Sequence, residues 1–187
     1  MERNEMNRDS IQIAKNTLNL LKKKSWNDIE LKEVYKTSRN KNKIIKTKED
    51  LLKNINRYID YLLKNDLSKI EISTSKDMLF EVIMARFDII QKHRKSFLNL
   101  FNLFKHNPHK FIKIIPSFIE SVFLMASLAN IKLNGVGGSL KIKGIFIIYV
   151  ATFFEWSNDQ TNSLEKTMTV LDRYLERTSS IYNYLKK

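Results

Sequence analysis

The sequence predicts an all-α fold, and three observations carry that prediction. Apolar residues recur at three- and four-residue steps through most of the 187 residues, as in Leu164, Met168, Leu171 and Leu175, which is the period of one helical face. Helix breakers are scarce: there are two prolines and four glycines, and the glycines Gly135, Gly137, Gly138 and Gly144 fall in one short interval. Gly144 to Trp156 is almost uninterruptedly apolar, so a helix made from it has no polar face and needs cover on nearly all sides. A second copy of the chain lying against it would supply that cover, which makes a helical homodimer the expectation.

Taken in order, Ile11, Ala14, Leu18 and Leu21 place a first helix over Arg8 to Lys24, with Asp9 or Ser10 available as its cap. A shorter helix follows from about Asp28 to Lys36, then a break at Thr37 and Ser38, then a turn or two from Arg39 to Ile45. Thr47 with Lys48, Glu49 and Asp50 is a strong helix start, a hydroxyl cap followed by acids in the first turn, and Leu51 to Leu62 carry that helix to about Lys64. The polar interval Asn65 to Ser75 predicts a boundary between a head, residues 1–65, and a body, residues 66–187. In the body, helices are expected from Lys76 to Gln91, around Phe97 to Phe104, and from Phe118 to Leu133. Pro108 suits a first turn and Pro116 is expected to kink or restart a helix. The glycine cluster reads as a flexible joint before the apolar segment, which ends at Ser157, Asn158 and Asp159 and gives way to an amphipathic helix from Asn162.

Composition excludes several classes. Without cysteine there is no disulfide framework, thiol nucleophile or zinc–thiolate site. The N-terminus, with Glu2, Glu5 and Asp9, lacks the apolar core of a signal peptide, which makes the cytoplasm the default address. Gly144 to Trp156 falls short of the roughly 20 residues a bilayer requires, and Lys113 and Glu120 interrupt the other apolar candidate, so no transmembrane segment is expected. The formal charge of +13 favours an anionic partner, nucleic acid or an acidic membrane surface. His93, His106 and His109 have no nearby carboxylate to complete a metal set, and Gly135-Val136-Gly137-Gly138 has the wrong spacing for a phosphate loop. Neither an enzyme nor a cofactor is expected.

Between Lys36 and Lys48 stand six basic residues, Lys36, Arg39, Lys41, Lys43, Lys46 and Lys48, and no acid. Such residues can bind phosphates, and Arg39, Asn40 and Asn42 carry the donors and acceptors that read base edges in a major groove. The helix, turn and helix around Leu31 to Ile45, followed by Thr47-Lys48-Glu49-Asp50-Leu51-Leu52, resembles the helix-turn-helix head of the TetR family. On that pattern Leu31, Val34 and Tyr35 take the apolar positions of the first motif helix and Ser38 starts the recognition helix. The resemblance implies DNA contacts from Lys36, Ser38, Arg39, Asn40, Lys41, Asn42, Lys43 and Lys48, and a palindromic operator read by a homodimer. Lys36 and Thr37 stand where a glycine and an apolar residue are usual, and the recognition segment is one residue short.

The body resembles a narrower group. Met78 to Asp88, His93-Arg94, Lys143-Gly144 through Tyr149 and Thr152 to Trp156, Asp159, and Thr167 to Leu175 look like a bacterial TetR-like branch related to the Coq-nine family, lipid-binding accessory proteins of ubiquinone biosynthesis. This resemblance implies a C-terminal helical ligand-binding and dimerisation domain. Phe80, Phe87, Phe101, Phe104, Phe118, Phe123, Tyr149 and Trp156 are the candidates to line an apolar ligand or lipid site, although aromatics at helical spacing also serve simply as core. It also implies a dimer interface on the last two helices, through Ile145, Ile148, Thr152, Leu164, Met168, Leu171 and Leu175. Two functions therefore stand open: a DNA-binding transcriptional regulator with an apolar effector, and a Coq-nine-like lipid-binding accessory protein with a degenerate head.

Overall fold

Eight α-helices and no strand occur among the residues that the computed structural model describes, 6–35, 45–67 and 73–185. The chain divides into two units, one formed by Met1–Asn65 with Ile89–Ser121, the other by Asp66–Asp88 with Val122–Lys187. One of the divisions falls between Asn65 and Asp66. The segment Ile89–Ser121, however, packs with the N-terminal residues rather than with the rest of the expected body.

In the N-terminal unit, α1 (Arg8–Leu21) is capped by Asn7, whose Oδ1 accepts from the Ser10 N–H at 2.8 Å, in place of the expected Asp9 or Ser10. A 3-10 turn at Trp26–Asp28 leads to a single-turn α2 (Leu31–Val34), shorter than expected. α3 (Lys48–Asp66) starts as expected: Thr47 Oγ1 accepts from the Asp50 N–H at 3.1 Å and Asp50 Oδ2 accepts from the Thr47 N–H at 3.0 Å, a reciprocal cap. α5 (Arg94–His106) is clasped to α1 by polar side chains. Ser96 Oγ donates to the Leu18 carbonyl at 2.7 Å, and Asn99 Nδ2 donates to the carbonyls of Leu21 and Lys24 at 3.2 and 2.7 Å, satisfying the end of α1.

α4 (Ser75–Gln91) and α6 (Pro108–Leu128) each contain one of the divisions between units. α6 is one helix through Pro116. The ring removes one N–H from the ladder, the one that would have bonded the Ile112 carbonyl on an exposed face, and the helix neither restarts nor extends to Leu133. It ends at Leu128, and Asn130, with a φ of 52°, lets the Ile131 N–H return to the Ala126 carbonyl at 2.9 Å.

In the C-terminal unit, α7 (Gly135–Asn158) and α8 (Glu165–Leu185) pack along each other. The glycine cluster is the first turns of α7, not a joint between helices. Gly135 takes the left-handed φ of +68° at the entry, and a Cβ on Gly138 would stand 1.9 Å from the Leu133 carbonyl oxygen. This lengthening also corrects the bilayer expectation. Pro108–Leu128, at 21 residues, and Gly137–Asn158, at 22, are long and apolar enough by length and composition to cross a membrane.

Candidate functional site

The residues bracketing 36–44 are held by one side chain. The Tyr35 hydroxyl donates to the Ile45 carbonyl at 2.7 Å and accepts from the Ile45 N–H at 2.8 Å, so both ends of that segment meet at one point. Asn16 Nδ2 of α1 holds the Val34 carbonyl at 2.9 Å. Lys48 Nζ donates to the carbonyls of Trp26 and Asn27 at 3.3 and 2.9 Å, which fixes the 3-10 turn against the start of α3. Lys48 is thus committed to backbone carbonyls rather than presented to a phosphate. Lys36, Ser38, Arg39, Asn40, Lys41, Asn42 and Lys43 lie outside the described residues. Asp50 sits next to this corner, and its hydrogen bonds, first from the Thr47 side chain, hold its carboxyl below the usual carboxylate value.

Deeper in the same unit, four polar side chains close a network between α3 and α6. Asn56 Nδ2 lies 2.9 Å from the Ser117 carbonyl, 3.0 Å from Ser117 Oγ and 2.8 Å from Ser121 Oγ, and Ser121 Oγ donates to Asp60 Oδ2 at 2.8 Å. All four residues are buried. The local signal was the spacing of Asn56 and Asp60, one helical turn apart beside the apolar Ile55, Ile59 and Leu63.

The expected ligand residues divide between the units. In the N-terminal unit Phe104, Phe111 and Phe118 form a row with centroids 5.6 and 6.0 Å apart, and Phe101 is half-buried. In the C-terminal unit Phe87 stacks on Tyr149 at 5.4 Å and lies 6.3 Å from Trp156, while Phe153 meets Trp156 at 5.0 Å. Phe80 is half-buried, and Phe123 is 44% exposed, on the surface rather than lining an interior. A buried arginine joins this second cluster. Arg86, 2% exposed, donates from Nε to the Tyr149 hydroxyl at 3.2 Å, with its guanidinium carbon 5.6 Å from the ring centroid.

The expected dimer residues are mostly covered within one chain. Ile145, Ile148, Thr152, Leu164, Leu171 and Leu175 are at most 6% exposed, and only Met168, at 40%, faces outward. The reason is that α7 is apolar on more than one face, and the face carrying Ile145, Ile148 and Thr152 is buried within the one molecule. Asp159, fully buried, joins these two helices. Its Oδ1 accepts from the N–H and hydroxyl of Thr161 at 3.0 and 2.6 Å, and its Oδ2 from those of Thr167 at 2.9 and 2.8 Å. Burial alone would raise this carboxyl, but the four donors outweigh it and hold the group far below the usual carboxylate range.

No group of three metal-ligating side chains occurs among the described residues. His106 and His109 are exposed, whereas His93 is half-buried with an Nδ1 that has no hydrogen-bond partner there. Neither family models nor curated proteins match this sequence.

Proposed function

We propose that the chain is a TetR-like DNA-binding transcriptional regulator that works as a homodimer and takes an apolar effector in its C-terminal unit. The observation that carries this reading is the Tyr35–Ile45 clasp. It joins Tyr35 to Ile45, and the sequence between them, residues 36–44, holds Lys36, Arg39, Lys41 and Lys43 and no acid. Pinning both ends of a basic segment lowers the conformational freedom lost when that segment docks on phosphates. Lys48 supports it from below, by locking the turn that precedes α2 to the start of α3.

The test is selection of binding sites by the full chain from a randomised duplex pool at physiological salt. Enrichment of an inverted repeat with half-sites about 34 Å apart, or a multiple of a helical turn, is the expected result. Enrichment of no sequence would remove the regulator. Replacing both Arg39 and Lys43 with alanine should weaken binding and lower the slope of log affinity against log salt by about 1 for each phosphate no longer neutralised. An unchanged slope would take the segment out of the mechanism.

A second reading, the Coq-nine-like lipid-binding accessory protein with a degenerate head, draws on the C-terminal unit. Phe87 packs on Tyr149 and Trp156, and Tyr149 in turn meets the buried Arg86, an arrangement suited to an apolar molecule with a polar head; the ring-on-ring packing means such a ligand must displace side chains to enter. Extraction of the purified protein and mass spectrometry of the organic phase would test it. Recovery of an isoprenoid or other lipid in near-stoichiometric amount supports it, and an empty extract opposes it.

A further inference from the structure

We propose that the turn from α5 into α6 is a second phosphate-binding surface, which holds the backbone of a DNA duplex beside the basic segment 36–48. The division of the chain into units concentrates its charge. Met1–Asn65 with Ile89–Ser121 holds 22 lysines and arginines against 10 acids, and the other unit 11 against 10, so almost all of the formal +13 belongs to the N-terminal unit. The acids of that unit are largely occupied. Asp50 and Asp60 accept from Thr47 and Ser121, Asp28 accepts from Ser25, and Glu30, Glu33 and Glu49 pair with Lys32, Lys24 and Lys113. The excess positive charge is balanced by solvent ions, or by a polyanion that displaces them.

Residues 89–119 contain six of these cations and no acid. Lys105 near the end of α5 and His109 at the start of α6 are exposed, Lys110 is half-buried, and neither lysine makes an ion pair among the described residues. Lys110 and His109 stand three and four residues before Lys113, on the same side of α6. Lys113 Nζ in turn reaches Glu49 Oε1 in the first turn of α3 at 2.5 Å, and that turn follows directly on the Tyr35–Ile45 clasp. The start of α6 and the end of segment 36–48 therefore share one corner of one unit, although Glu49 and Lys113 are 64 residues apart in sequence.

Exposure decides between the two anionic surfaces that such a corner could meet. A bilayer is held by apolar side chains that enter its boundary as well as by charge, and among the described residues of this unit Ile112 is the one large apolar side chain that is exposed. A duplex asks only for cations set along its phosphates. Such contacts carry no sequence information, so the corner adds affinity for every duplex and leaves the reading of bases to Arg39, Asn40 and Asn42. The inference rests on the DNA binding of the proposed function and not on its sequence preference.

The experiment is fluorescence anisotropy of the full chain on labelled duplexes of several unrelated sequences, titrated from about 50 to 200 mM salt. Lys105→Ala combined with Lys110→Ala should weaken binding to every duplex alike and keep the helical circular dichroism of the parent. The fold loss of affinity across that salt range should become about tenfold smaller, as two fewer phosphate contacts require. Lys105→Arg with Lys110→Arg should restore both affinity and salt dependence. Lys132→Ala with Lys166→Ala removes the same charge from exposed positions of the other unit and should leave the salt dependence as it was. No duplex binding by the wild type, an unchanged salt dependence in the Lys105 and Lys110 variant, or an equal change in the Lys132 and Lys166 control would each overturn the proposal. So would a Lys105 and Lys110 variant that loses its hold on phosphatidylserine vesicles and keeps its affinity for duplexes. A chain that selects no sequence yet shows the Lys105 and Lys110 effect would remove the regulator and leave this surface standing. Selection of an inverted repeat by a chain indifferent to Lys105 and Lys110 would do the reverse.

Discussion

In the N-terminal unit the apolar core is accompanied by side chains that reach backbone carbonyls, whereas in the C-terminal unit it is accompanied by a cluster of rings and one buried carboxylate. In the first, Ser96, Asn99, Asn16, Lys48 and Tyr35 each secure a particular carbonyl. In the second, Phe87, Tyr149, Phe153 and Trp156 supply burial, and Asp159 binds the α7–α8 turn. Directional bonds to backbone fix position with modest net energy, while aromatic burial contributes far more energy with less positional demand. The unit with the proposed DNA segment is thus built for placement, and the other for adhesion.

That contrast breaks most readily at Trp156. It is fully buried between Phe87 and Phe153, so Trp156→Ala should lower unfolding stability by about 3–5 kcal/mol, read by denaturant titration. A loss under about 1 kcal/mol would mean that the rings do not close this unit. The corresponding change in the polar unit is Ser121→Val. It removes the hydroxyl between Asn56 and Asp60, so each of the two buried groups loses one hydrogen bond, for an expected loss of about 0.5–1.5 kcal/mol per bond. If the valine were neutral, the network would be a passenger of the α3–α6 packing.

Acid should separate the two regions by pH window. Burial, and then the charges of Lys22 and Lys92, lower the His93 value, so the folded form holds this ring neutral. Its contribution is complete above the unfolded value of about 6.5 and is lost as pH falls below that, a slope that His93→Gln should remove. The Asp159 carboxyl is also lowered, and its contribution is present above the unfolded value of about 3.9 and lost only below it, where Asp159→Asn should flatten the profile. Both variants measured by thermal unfolding between pH 3 and 8 would show whether the windows are distinct. A histidine variant that keeps the parent slope near neutrality would show that other groups carry it.

What the sequence revealed of this molecule was what local spacing encodes. The Thr47–Asp50 reciprocal cap sits three residues apart and was readable, as were the helices with an apolar stripe. The Asn56–Ser117–Ser121 contacts join residues more than sixty apart, and nothing near any of them marks the others as partners. Helix α7 is plainly apolar in sequence, yet composition could not say which side meets α8; that depends on where Leu164, Leu171 and Leu175 fall in space. The glycines misled for a related reason. A cluster of four reads as a joint, while the structure gives two of them intramolecular roles and leaves two on an open helical face. The same lengthening of α7 brought it within reach of a bilayer span, which the shorter apolar run had excluded.

The smallest expected effect is the most informative about the polar unit. Tyr35→Phe keeps the ring and removes only the hydroxyl that closes residues 36–44 onto Ile45, so stability should fall by about 0.5–1.5 kcal/mol. The basic side chains remain, and so does the number of phosphates they neutralise. DNA affinity should therefore fall by less than in the Arg39 and Lys43 double variant, with the salt slope unchanged, because the loss is the freedom restored to the segment and not its charge. A changed slope would show that the clasp decides which lysines reach the duplex. An unchanged affinity would show that DNA itself orders the segment and that the clasp belongs to folding alone.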